Sequence, residues 1–216
     1  MFKALVWLQW KSSKAWIVIA AVVVMALPVV SVVRGWPTDQ SAMAQFLARL
    51  EAWSVFYPGL AAAVGAAMAS LAWRADHRTD FVYALTLPLA RWRQVSYRFG
   101  AGLVWIVAVA VVLWVTGLVC VAVTPIPASL RSYPTELALK FALATMSVFT
   151  LVFSVLSLPG RIKRGLVVTA LALCAVQVGV LLAGWDANWL IPFVQAIVGR
   201  TGPLGMLGGR WMLIDV

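Results

Sequence analysis

The sequence predicts an all-α, polytopic membrane helix bundle with five spans and the opening turns of a truncated sixth. Three observations predict it. Of 216 residues, 63% are apolar and 11% charged, with a mean hydropathy of +0.96, whereas a soluble domain carries about 45–50% apolar and about 25% charged residues. Five uncharged runs approach or exceed the roughly 20 residues that cross about 30 Å of hydrocarbon. None of them alternates apolar and polar residues as a barrel strand does, so each must satisfy its backbone polar groups as a helix. The composition excludes an ordinary soluble domain, a disordered chain, collagen and a disulfide scaffold.

The elements follow in order. Residues 1–14 carry Lys3, Lys11 and Lys14, which fall within about 80° on a helical wheel, with Trp7 and Trp10 near the same side. Lysines snorkelling beside tryptophans suit an N-terminal interfacial segment at the inner headgroup level; a simple positive anchor accounts for them equally well. The run 15–33 is the first span. It is too long for a signal-peptide core and no A-x-A site follows it, so it reads as an uncleaved signal anchor. The second span, 52–73, is rich in small residues, with Gly59, Ala63 and Ala67 in one row and Ala62, Ala66 and Ser70 in another. Such rows let helices approach closely. The third, 99–123, stops before Pro125 and Pro127.

The fourth span, 141–160, carries Ser147, Thr150, Ser154 and Ser157 at spacings of three, four and three. They share an arc of about 80°. Two readings stand: a translocation-path lining, or a packing face whose hydroxyls bond back to their own helix. The fifth span, 165–185, holds the amide Gln177, placed either to bond a neighbouring helix or to meet a substrate. Residues 186–209 are interrupted by Gly202, Pro203, Gly205, Gly208 and Gly209 and are expected as an external interfacial segment. Arg210–Val216 are expected as the first turns of the truncated sixth span.

Lys and Arg between the runs set the orientation. Residues 1–14, 74–98 and 161–164 hold three, five and three, eleven in all, against two each in 34–51, 124–140 and the tail. The richer set is expected on the cytoplasmic side, with the N-terminus inside. The net charge of +10 is thus spent on loops between apolar runs, which points to the lipid bilayer and away from nucleic acid. Cys120 and Cys174 both lie within apolar runs, as small buried hydrophobes do. A single histidine, His77, excludes a bis-histidine haem and a HExxH zinc site, and no catalytic or metal site is expected. No span has a charge at its centre, which argues against proton pumps, ion-coupled antiporters and voltage sensors.

Between spans two and three the chain reads Arg74-Ala-Asp-His-Arg-Thr-Asp-Phe-Val-Tyr-Ala-Leu-Thr-Leu-Pro-Leu-Ala-Arg. Phe81, Leu85 and Leu87 give a short helix one apolar side, Pro88 ends it and Arg91 follows. A short helix of this kind with mixed charge suits docking on a soluble partner, or forms a plain solvated connection. The stretch resembles the region after the second span of ABC-2 type transporter permeases, in which an acidic residue precedes Gly-Thr, a run of leucines, Leu-Pro and an Arg three residues on. Asp76, Thr79, Leu85, Leu87, Pro88 and Arg91 stand at the matching positions. Arg78 replaces the Gly, and Asp80 is more polar than the family pattern.

The resemblance implies the membrane-spanning subunit of an exporter in the bacterial inner membrane. It implies pairing with a second permease copy, as a homodimer or a related heterodimer, and a cytoplasmic ATP-binding subunit docked on the loop through Asp76, Arg78, Thr79, Asp80, Phe81, Leu85, Leu87, Pro88 and Arg91. This chain contains no GxxxxGK[ST], so ATP and Mg are expected on the partner and no cofactor or enzymatic activity on this chain. The alternative is a membrane scaffold or anchor subunit of a larger complex that does not transport.

Overall fold

The computed structural model describes residues 2–35, 43–78, 91–124 and 131–162, with shorter stretches beyond that include 204–208 and 213–215. The first four apolar runs fall in helices, and a further helix precedes the second: α1 (Phe2–Gly35), α2 (Met43–Ser54), α3 (Phe56–Arg78), α4 (Arg91–Val123) and α5 (Pro134–Ser157). Two-residue strands β1 (Arg131–Ser132) and β2 (Ile214–Asp215) pair antiparallel, and a 3-10 turn occupies Gly205–Leu207. Among the described residues, four helical segments are long and apolar enough to cross a membrane: Ser13–Val33, Leu50–Trp73, Trp92–Val123 and Pro134–Ser157. The chain is thus helical and of multi-pass membrane character. The expected fifth span over 165–185 lies largely outside the described residues; its described positions, among them Val168, Thr169, Ala175 and Val176, are helical.

Element boundaries depart from the sequence expectation for identifiable reasons. α1 runs unbroken from Phe2, so residues 2–14 and the first span form one 34-residue helix, about 51 Å long at 1.5 Å per residue. It overshoots the hydrocarbon by several turns. Residues 43–51, expected within an external connection, and 52–54, expected to open the second span, form α2. Pro58 explains why α2 stops: it has no N–H to give Ser54 and its ring would clash with that carbonyl, so the helix breaks at Val55. α5 begins at Pro134, not 141. Pro at the first position and Glu136 in the first turn favour a helix start there, and the charge of Lys140 does not interrupt it. Its other end comes at Leu158, whose extended backbone (φ −70°, ψ 151°) is what a following proline demands.

The last residues overturn one expectation. Arg210–Val216 do not begin a helical span, because Ile214–Asp215 is strand. Ser132 pairs with Ile214, and the Tyr133 N–H donates to the Leu213 carbonyl at 2.9 Å. Trp211, Leu213 and Ile214 are buried in the core, so this segment tucks against the bundle.

α3 packs most extensively on α5, α1 on α4, and α4 on α5. Cross-contacts fix the directions. Trp73 of α3 meets Phe153 of α5, Phe99 of α4 meets the same Phe153, and Trp10 of α1 stacks on Trp105 of α4. The starts of α1 and α4 therefore share one end of the bundle with the ends of α3 and α5. The core runs along these seams through Val24, Ala61, Met68, Ile106, Leu113, Phe141 and Phe149.

Candidate functional site

On the α3–α5 seam the two backbones approach closely. A β-carbon on Gly65 would stand 2.6 Å from the Thr145 carbonyl oxygen and 3.1 Å from the Phe149 nitrogen, so only glycine fits there. Phe149 in turn lies over Gly102 of α4, where an added β-carbon would meet its ring at 2.5 Å. Rings of Phe99, Phe149 and Phe153 lie 5.2–5.5 Å from one another, in the separation range aromatic pairs prefer. This seam holds the face of α5 that the bundle buries.

The four hydroxyls of α5 point the other way. Its buried residues Phe141, Ala144, Thr145, Val148, Phe149 and Phe153 centre roughly opposite the stripe at 100° per residue. Each hydroxyl bonds the carbonyl four residues back: Ser147 to Leu143 at 2.9 Å, Thr150 to Met146 at 2.8 Å, Ser154 to Thr150 and Ser157 to Phe153 at 2.7 Å. The stripe lines two shallow surface grooves. One of about 400 Å³ involves Leu143, Ser147, Thr150, Ser154 and Leu204. The other, of about 430 Å³, lies between α4 and α5. Hydroxyls satisfied by their own helix put no demand on water or on a partner. Gln177 lies outside the described residues.

The loop candidates divide. Asp76 and Arg78 fall in the last turns of α3, and Arg91 opens α4. Thr79, Asp80, Phe81, Leu85, Leu87 and Pro88 lie outside the described residues. The helical ends leave twelve residues, 79–90, between α3 and α4, at the end of the bundle that also holds the starts of α1 and α4 and the end of α5. Among the described residues that end collects Lys3, Lys11, Lys14, Arg74, Arg78, Arg91, Arg93, Arg98, Arg161 and Arg164 against Asp76. Its formal charge is +9 of the total +10. Aromatic rings shoulder part of it: Lys11 sits 5.2 Å over Trp7, Arg93 5.3 Å over Trp92 and Arg98 5.4 Å over Trp73. Trp7 is exposed beside Lys11, whereas Trp10 turns inward onto Trp105.

The opposite end holds a cluster the sequence did not announce. Trp211 stacks nearly parallel on Tyr57, with centroids 6.5 Å apart, and Lys140 lies 4.8 Å over the Trp211 ring. The Trp211 indole N–H donates to the Leu207 carbonyl at 3.2 Å. Leu213 lies 3.4 Å from the β-position of Gly117 on α4, one turn from buried Cys120. The Trp114 indole N–H donates to the Thr135 hydroxyl at 3.1 Å and ties α4 to α5 near this end. A third groove, about 580 Å³ and lined by Val23, Leu27, Val30, Trp53, Phe56 and Gly59, opens between α1 and α3. No protein-family model, curated protein or solved structure matches the chain.

Proposed function

We propose that this chain is the membrane-spanning permease subunit of an ATP-driven exporter, with its N-terminus on the cytoplasmic side of a bacterial inner membrane. The observation that carries the reading is the location of the segment resembling ABC-2 type permeases. It joins α3 to α4 at the end of the bundle where ten of the described Lys and Arg gather, the end that the positive-inside bias assigns to the cytoplasm. A cytoplasmic ATP-binding subunit would have to dock there. Phe81 and Leu85 supply the apolar anchor, while Asp80 and Arg91 set the register. A second permease copy completes the pore, and ATP with Mg stays on the partner. The lack of charge at the span centres is consistent with energy delivered mechanically from outside the bilayer.

One observation favours a non-transporting scaffold instead. All four stripe hydroxyls are satisfied within α5, so the stripe needs no water-filled path. A single substitution separates the two. Leu85→Asp puts a charge into the docking anchor and is expected to release the ATPase, a hot-spot loss on the order of 2–4 kcal/mol. Pull-down of the ATPase and substrate-stimulated ATP turnover in nanodiscs report it. Wild-type values for both would favour the scaffold.

A further inference from the structure

The groove between α4 and α5 is lined by Val95, Ser96, Phe99, Phe153, Ser154 and Ser157. Its volume of about 430 Å³ falls within the range of about 300–1,000 Å³ typical of ligand clefts. Phe99 and Phe153 meet edge to face at 5.4 Å along it. The three hydroxyls are spent on their own helices: Ser96 bonds the Trp92 carbonyl at 2.9 Å, and Ser154 and Ser157 bond back as described above. Toward an occupant the lining is effectively apolar.

Charges flank one end of that lining along the chain. Trp92, 66% exposed, stands one turn before Val95 and Ser96 on the same face of α4, with Arg93 beside its ring. Arg161, also exposed, follows Ser157 by four residues. An apolar trough with an exposed tryptophan and Arg93 beside its lining, and Arg161 four residues past Ser157, matches a molecule with a hydrocarbon chain and an anionic head.

We propose that the α4–α5 groove seats one acyl chain of an anionic bilayer phospholipid, with its phosphate at Arg93 and Arg161. The site does not depend on the transport reading and would serve a scaffold equally. The test is native mass spectrometry of the full chain released from nanodiscs of mixed phosphatidylglycerol and phosphatidylcholine with identical acyl chains. The wild type is expected to retain phosphatidylglycerol preferentially. Arg93→Gln and Arg161→Gln are each expected to cut that preference about fivefold, the factor equivalent to one basic residue near an anionic surface. Ser154→Phe, which fills the trough, is expected to reduce retention of both lipids. The control is Lys11→Gln with Lys14→Gln, at the same end but on α1, which should leave the preference intact. Equal retention of the two lipids by the wild type would overturn the proposal. So would an equal loss in the lysine control, which would assign the selectivity to the basic end at large.

Discussion

The Thr145 carbonyl stands 2.6 Å from the place a β-carbon on Gly65 would occupy. The obstacle is backbone on a packed helix, so it cannot rotate away as a side chain would. Gly65→Ala must push α3 and α5 apart along their whole seam. The expected cost is about 1–3 kcal/mol, read as a lower unfolding midpoint in detergent. Gly59, with nothing within 4 Å of its β-position, is the matched comparison: Gly59→Ala should be neutral or slightly stabilising through helix propensity. Equal midpoints for the two variants would remove the close approach as a determinant of stability.

The same threonine yields an opposite expectation. Its hydroxyl is buried without a hydrogen-bond partner among the described residues, and a buried unsatisfied hydroxyl costs about 1–3 kcal/mol. Thr145→Val keeps the branched shape and removes the polar atom, so stability should rise by about 1 kcal/mol. A lower midpoint would mean that the hydroxyl is satisfied in the folded protein.

The hydroxyl stripe is predicted to be thermally silent. In Ser154→Ala the Thr150 carbonyl keeps its helical partner and loses only a second donor, so the change should stay within about 0.5 kcal/mol. Thr150→Phe then discriminates by function. If the stripe lines a path, export falls while the complex assembles normally. If it packs against another helix, the yield of assembled complex falls first. Wild-type export and assembly together would leave the stripe facing lipid.

The closure at Trp211 makes Cys120 a reporter. In a Cys174→Ser background, maleimide should label Cys120 slowly, since the residue is only 8% exposed and lies one turn from the Leu213 contact on Gly117. Trp211→Ala removes the stack on Tyr57 and the ring under Lys140, at a cost of about 3–5 kcal/mol. Labelling should accelerate well before global unfolding. Unchanged labelling would mean that the terminal segment does not cover the thiol.

What could be read in advance was set by the solvent. Lipid admits only satisfied backbone, so uncharged runs had to be helices, and the four membrane-length helices lie on the first four of those runs. Charges that lie inside helices hide two of the boundaries. Arg49 and Glu51 made 34–51 look like a plain connection, although Met43, Phe46, Leu47 and Leu50 keep a helical spacing that betrays α2. Lys140 likewise pushed the predicted start of α5 seven residues late, because its pairing with Trp211 is a contact between residues seventy-one positions apart. The hydroxyl arc was visible, but its direction was not, since the buried face of α5 is chosen by Gly65 and Gly102 on other helices. The docking candidates at Thr79, Asp80, Phe81, Leu85, Leu87 and Pro88 rest on the sequence alone.

The β1–β2 ladder has a consequence for biosynthesis. Arg131 pairs with Asp215, and Tyr133 with Leu213, so the closure links points about eighty residues apart and must overcome the entropy of that loop. The helices α1 to α5 can leave the translocon and associate while the ribosome is still translating, but one mouth of the bundle stays unlatched until residues 211–215 emerge. A stalled or prematurely terminated chain would therefore be inserted, mostly helical, and open at that mouth, with Tyr57 and Gly117 uncovered. That uncovered surface would let a membrane quality-control protease tell a copy lacking residues 213–215 from one that carries them.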